Sequence, residues 1–222
     1  MRDELHPAVD EYLETIGWLG EEGAPVIAAR IADRMGKSRP SVSEMLERLA
    51  AGGYVERSGR EILLTAEGRA RSLRVIRRHR LAECLLVDVI GLSWRDVHAE
   101  AGRFERVISD EVEERLVELL GDPATCPHGN PIPGSTSRTP DLDLQMPLSD
   151  TVPGQSVRLV RLTQEVELDR ASLGYLDDAG FVPGVTAVVL ERGPDGTLVL
   201  ALERGNLALG PHLCERLFVL AV

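Results

Sequence analysis

The chain has only three cysteines in 222 residues. Cys84, Cys126 and Cys214 lie far apart without CxxC spacing, so neither a disulfide framework nor a thiolate zinc knuckle is indicated, and reduced thiols are expected. No apolar run approaches the ~18 residues of a membrane span. Residues 1–20 also lack a basic start followed by an apolar stretch, which leads us to expect a cytoplasmic protein with no membrane partner. HExxH is missing, which leaves a metalloprotease reading without direct support. We find no internal repeat. Positive charge is also short: 25 Lys+Arg against 36 Asp+Glu give −11, which argues against a nucleic-acid coat protein.

What is present is apolar content of 43%, enough for real cores, and an uneven charge. Residues 1–80 carry 14 basic and 13 acidic side chains, leaving 11 and 23 for the rest. The acidity is therefore all downstream, and the first third needs its own reading.

Pro7 can open a helix in which Val9, Tyr12, Leu13 and Ile16 recur at i, i+3, i+4 and i+7, closed by Glu21, Glu22 and Gly23. A second short helix turns Ile27, Ile31 and Ala32 inward and ends near Gly36. Ser38 or Ser41 caps a third, with Val42, Met45, Leu46 and Leu49 inward and Ser41 to Glu44 fitting a capping box. Two short strands, 54–57 and 61–65, flank Ser58, Gly59 and Arg60. This is the order of a winged helix-turn-helix, or of an ordinary three-helix packing unit. The short turn and the small hydroxyl residues opening the third helix favour DNA binding.

A long helix follows from Ala66 past Val89, with Arg69, Arg71, Arg74, Arg77, Arg78 and Arg80 on its first part, either a solvated face or a phosphate contact. Helices are expected over 94–108 and 109–120. Residues 123–153 hold seven of the 13 prolines and read as a linker or irregular arm. Beyond it, strands near 157–162, 185–191, 197–202 and 217–222 and a short helix over 171–179 suggest a small SH3-like barrel. The fold class is thus mainly α with a small β part. The expected units are a winged helix-turn-helix (1–72), a helical unit (73–140), a proline-containing linker (141–154) and an SH3-like β-barrel (155–222).

Ionisable groups fall where a core should be. On the long helix Ile76, His79, Glu83, Leu86 and Ile90 step by three or four; on the next, Trp94, Val97, His98, Ala101, Phe104, Glu105 and Ile108 do the same. Unpaired burial of such groups is costly, and mutual pairing or a metal offsets it; imidazole with carboxylate suits Mn²⁺, Fe²⁺, Co²⁺ or Zn²⁺. Glu11 and Glu14 read first as a solvated helix face, with a carboxylate contribution as the alternative. Cys126 and His128 are two further ligand types in one loop, or a buried thiol beside a turn histidine.

Together these segments resemble the diphtheria toxin repressor family of iron- and manganese-dependent regulators. The resemblance is carried by Glu11-Tyr12-Leu13-Glu14-Thr15-Ile16, Ala29-Arg30-Ile31-Ala32, Ser41-Val42-Ser43, His79-Arg80-Leu81-Ala82-Glu83, Val97-His98-Ala99-Glu100-Ala101, Ser109-Asp110-Glu111-Val112 and the run from Cys126 to Gly134. It implies a homodimer with two divalent metals per subunit, Fe²⁺ or Mn²⁺, with Co²⁺, Ni²⁺ or Zn²⁺ able to substitute. It also implies a palindromic double-stranded operator and an SH3-like domain that can contact the chain's own linker. One implied site uses His79, Glu83 and His98, completed by Gln164 and Glu167; other members complete a site around Glu83 with residues matching Cys126 and His128. The second implied site retains Glu105, with Glu11 in the first-helix ligand position. It departs from the pattern at Gly102 and Arg106, where the family has a ligand pair. Arg106 is expected either to replace the missing cation by pairing with Glu105 or Glu11, or to point to solvent.

Family resemblance and helix geometry agree on Ser38, Arg39, Pro40, Ser41 and Ser43 for DNA contact, with Arg60 in the wing. The leading reading is a metal-dependent repressor of metal-homeostasis genes. The alternatives are a repressor that has lost metal dependence, a metallohydrolase, and a metal-storing or peptide-binding adaptor.

Overall fold

The computed structural model describes residues 7–23, 25–138 and 144–222, so 141–143 of the expected linker lie outside the described residues. The chain forms two compact units, residues 1–79 and 80–222. Among the described residues no helix is long and apolar enough to cross a membrane.

In the first unit, α1 (Pro7–Glu21) buries Tyr12, Leu13, Ile16 and Leu19, the stripe set by its 3.6-residue period. α2 (Ala28–Met35) closes on Gly36 at φ +61°, a left-handed cap that favours glycine. α3 (Arg39–Ala51) starts from Ser38, whose side chain accepts from the Ser41 amide, with Pro40 in the first turn where no amide is needed. Ser38, rather than Ser41, is therefore the cap. Val42, Leu46 and Leu49 face inward. β1 (Val55–Ser58) and β2 (Glu61–Leu64) pair antiparallel as the wing, and Ile27 forms a bridge to Glu61.

α4 (Ala66–Cys84) packs closely on α1, since a Cβ on Gly17 would lie 2.3 Å from Ser72 Oγ, and that hydroxyl donates to Leu13 O at 2.8 Å. Arg71 of the basic run donates to Asp10 at 2.6 Å and to the Tyr54 hydroxyl at 3.0 Å. Arg78 and Arg80 are buried, so part of the run is structural rather than a solvated face.

In the second unit α4 ends at Cys84 and the helix loosens into a π turn over Leu85–Val89. α5 (Val97–Phe104) is shorter than its apolar stripe suggested, tightening into a 3₁₀ turn over Glu105–Val107. α6 (Asp110–Leu120) is capped by Ser109 and closed by Gly121. Ala82, Leu86, Val97, Ala101, Ile108 and Leu116 form the helical core.

The C-terminal part is an antiparallel six-stranded sheet in the order β3-β8-β4-β5-β6-β7, the expected SH3-like domain. Its strands are β3 (Met146–Pro147), β4 (Ser156–Leu162), β5 (Thr186–Arg192), β6 (Leu198–Leu202), β7 (Gly205–Leu209) and β8 (Leu217–Ala221), with helical turns α7 (Gln164–Glu167), α8 (Arg170–Ala179) and α9 (Pro211–Cys214). Register shifts in β4 between Leu159 and Arg161 and in β5 between Val189 and Glu191 bend the sheet over one core. That core includes Leu159, Leu162, Phe181, Leu200 and Val219, with Trp94 packed against it.

Candidate metal centre

The pocket begins at the end of α4, where the helical spacing that put Glu83 on an inward stripe leaves it fully buried. Three other segments of the second unit converge on it. α5 supplies His98, whose Nδ1 lies 3.2 Å from Glu83 Oε1. α7 supplies Glu167, whose Oε2 is also 3.2 Å from His98 Nδ1. The arm after α6 supplies Cys126 and His128; donor atoms of Glu83, Cys126 and His128 lie within 4.8 Å of one another. All five side chains are buried or nearly so.

The arm segment owes its shape to a tight turn. The Cys126 amide donates to Asn130 O at 2.9 Å and the Gly129 amide to Cys126 O at 2.8 Å, while Thr125 bridges to Pro131. Gly129 has φ +85°, and a Cβ there would lie 1.9 Å from Val160 O, so the arm runs against β4 as only glycine permits.

Hydrogen bonding fixes the His128 ring. Its Nε2 lies 3.1 Å from the Trp94 carbonyl, which can only accept, so Nε2 carries the proton. Nδ1 then faces Glu83 Oε1 at 3.3 Å and Glu167 Oε2 at 3.9 Å without a hydrogen bond among the described residues. Burial opposes a charge on this ring, but the two carboxylates outweigh it and hold the His128 pKa above its usual value. Glu167 shows the converse: burial pushes its pKa up, and His128 and His98 pull it below the ordinary range. Burial drives the Cys126 thiol well above its usual pKa, reinforced by Glu83 and Glu167 and moderated by Arg80. Cys84, against the same wall, is pushed up to about 12 by burial, then by Asp88 and Glu83.

This donor set fits a divalent cation. Glu83 lies beside both imidazoles and the thiol, Glu167 beside both imidazoles, and Nδ1 of His128 faces the two acids. Gln164 is buried on the same turn as Glu167. His79, one turn before Glu83 on α4, is buried in the first unit with Nδ1 3.8 Å from Glu14 Oε1 and the Trp18 ring against it edge-on.

Glu11 is half-exposed and ion-paired at 2.9 Å with Lys37, whose ammonium lies over the Tyr12 ring. Glu105 is buried on its 3₁₀ turn, and a Cβ on Gly102 would meet open space. Arg106 is exposed with no ion-pair partner among the described residues, so it does not replace the missing cation; its guanidinium keeps its hydration instead. Ser38, Arg39, Pro40, Ser41 and Ser43 are all exposed around the start of α3, and Arg60 is exposed at the tip of the wing.

Sequence reasoning put Trp94 on an inward stripe but missed its hold on the arm, and it missed Asn130. The Trp94 indole donates to Pro127 O at 2.9 Å while its carbonyl accepts from His128 Nε2, so it holds the arm from both ends. The one signal for Asn130 was its place two residues after His128, as His128 follows Cys126.

The chain matches the family descriptions "Iron dependent repressor, N-terminal DNA binding domain" over residues 4–63, "Iron dependent repressor, metal binding and dimerisation domain" over 65–134, and "FeoA domain" over 146–221. It is 41% identical over 220 residues to the iron-dependent repressor IdeR of Mycobacterium tuberculosis, covering 95% of each chain. With the diphtheria toxin repressor of Corynebacterium diphtheriae it shares 38% over 214 residues, 90% of this chain and 91% of that one. Among solved structures, a manganese-dependent transcriptional repressor in complex with manganese superposes with a TM-score of 0.84 at 29% identity, covering 96% of this chain and 100% of the other. The chain belongs to the family of iron-dependent repressors that includes the diphtheria toxin repressor.

Proposed function

We propose that this chain is a cytoplasmic, homodimeric, metal-dependent transcriptional repressor that binds a palindromic operator of metal-homeostasis genes. The observation that carries this reading is the orientation of His128. With Nε2 committed to the Trp94 carbonyl, its Nδ1 faces two carboxylates across a buried pocket, and only a proton or a cation satisfies all three groups. Fe²⁺ or Mn²⁺ is the proposed resident ion, with Co²⁺, Ni²⁺ or Zn²⁺ substituting in vitro.

Glu83, His98, Cys126, His128 and Glu167 would hold it, and family resemblance adds His79 and Gln164. A divalent cation bound there supplies the positive charge that the two carboxylates and the thiolate require. Glu83 stands at the centre, within reach of both imidazoles. The second site implied around Glu11 and Glu105 lacks donors at Gly102 and Arg106, so we assign control to the Glu83 pocket. The relatives are repressors and not enzymes, which disfavours the metallohydrolase reading.

For DNA, the start of α3 is the proposed reading edge. Arg39 is its best direct reader, while Ser38, Pro40, Ser41 and Ser43 allow close approach and Arg60 contacts phosphate. Exposed Val89, Ile90, Phe104, Val107, Val112 and Leu119 provide the apolar surface that a second copy would cover. The working units are proposed as 1–72, 73–140 and 155–222 joined by 141–154, with the SH3-like domain gripping the chain's own proline-containing arm.

The test is fluorescence anisotropy on palindromic duplexes selected from a random pool, with and without Mn²⁺, Fe²⁺, Co²⁺ and Zn²⁺. Metal should raise DNA affinity by about tenfold or more, and a chelator should reverse the gain. Equal affinity with and without metal would establish the metal-independent repressor instead.

A further inference from the structure

Asn130 is 5% exposed and is not among the ligands assigned above. Its amide nitrogen donates to Leu162 O of β4 at 2.9 Å and to Glu167 Oε1 at 2.5 Å. Both acceptors are oxygens that cannot donate, so the amide orientation is fixed and both of its hydrogens are used. Its backbone carbonyl closes the turn onto the Cys126 amide. The neighbouring His128 carbonyl accepts from the Leu162 amide at 3.2 Å, and Gly129 lies directly on Val160. One residue thus ties together the turn that carries Cys126 and His128, the strand beneath it, and the carboxylate of α7.

The bond to Glu167 is selective. It occupies Oε1 and leaves Oε2 aimed at His98 and His128. Other side chains at position 130 would lose this. Aspartate would set one carboxylate against another, serine would fall short of two acceptors, and leucine would strand Oε1 in a buried site.

We infer that Asn130 is the positioning residue of the metal centre: it engages one oxygen of Glu167, presents the other to the cation, and makes the ligands of the arm and of the C-terminal domain a single preorganised set. This rests on reading the Glu83 pocket as a metal centre. It also gives the C-terminal domain a defined task, because Glu167 reaches the pocket in the correct orientation only while the arm is seated on β4. Outer partners of this kind typically change metal affinity by about 10–100-fold.

The test titrates the full chain with Co²⁺, whose thiolate charge-transfer band reports Cys126 and whose d–d bands report coordination geometry. Asn130→Ala should weaken Co²⁺ binding by about 10–100-fold and alter the d–d bands while the thiolate band persists. Asn130→Ala should then add little to Glu167→Ala in the double variant, since Asn130 acts through Glu167. In the metal-free wild type, the Asn130 side-chain amide should exchange slowly by NMR and lose that protection in Glu167→Ala, an observation that needs no variant at position 130. Unchanged Co²⁺ affinity and spectrum in Asn130→Ala, fully additive losses, or a rapidly exchanging Asn130 amide in wild type would each overturn the inference alone. A wild type that binds no Co²⁺ would overturn the metal-centre reading and this inference together.

Discussion

Glu11 on the polar face of α1 and Glu83 at the end of α4 are both carboxylates at positions the family uses for metal, yet they stand in opposite surroundings. Glu11 is half-exposed and already neutralised by Lys37, the only lysine in the chain, just before the cap of α3. Glu83 is fully buried, and two imidazoles and a thiol lie around it. A carboxylate that meets a permanent cation has no need of a metal. One buried beside imidazoles and a thiol can share a proton or a divalent ion with them. On this basis we propose that the regulatory ion belongs to the second unit, with Glu11 serving the geometry of the helix-turn-helix.

The largest effect should come from breaking the wall of the buried pocket rather than its ligands. Gly129→Ala puts a Cβ 1.9 Å from Val160 O at a φ of +85°. The left-handed backbone costs ~1–2 kcal/mol and the overlap ~1–3 kcal/mol more. The arm should lift from β4, with a lower melting temperature in calorimetry and loss of tight metal binding in the same sample. A variant as stable and as metal-avid as wild type would show that the arm does not need β4.

Glu83→Gln tests the pocket itself. It keeps the volume and removes the charge shared by His98 and His128. Metal affinity measured by calorimetry should fall by about 100-fold or more, above the usual range for an outer partner. Metal-dependent DNA binding should disappear with it. A change within threefold would remove Glu83 from the centre of the site.

Arg39→Ala moves to the first unit, where side chains meet solvent rather than one another. A bidentate contact to guanine is worth ~1–3 kcal/mol of discrimination, so binding to the preferred duplex should weaken by that amount with little change on unrelated DNA. Equal weakening on every sequence would assign Arg39 to phosphate. The metal-free protein should show no difference in metal affinity between this variant and wild type.

How much of this was legible in the sequence differs between the two regions for a physical reason. Periodicity located α1 to α4 and put Glu83 and His98 on inward stripes, because burial of a helix face is a local property. Cys126 and His128 stood out as two ligand types in one loop, but only family resemblance linked them to Glu83 and brought in Glu167, since no spacing rule links an arm to a turn some forty residues later. Asn130 escaped both, as did the arm contacts of Trp94, because these roles depend on which partners the folded chain brings to them. β7 (Gly205–Leu209) was missed because glycine and asparagine weaken a strand pattern at its start. The partner of Glu11 was equally unreadable: Lys37 is 26 residues away, and only the packing of α1 beside the turn before α3 brings the two together.

The smallest expected effect is the sharpest test of the comparison, because it repeats the substitution made at Glu83. Glu11→Gln removes a half-exposed ion pair, worth ~0.2–1 kcal/mol at such a site. Metal stoichiometry and affinity should stay at wild-type values, and DNA affinity of the metal-loaded protein should change by no more than about fivefold, through Lys37 and the setting of α3. Raising salt should shrink even that difference, since the pair is open to screening. If Glu11→Gln instead abolished metal-dependent DNA binding while leaving the fold intact, Lys37 would be a partner that a metal displaces. The two carboxylates would then be alike in function despite their surroundings.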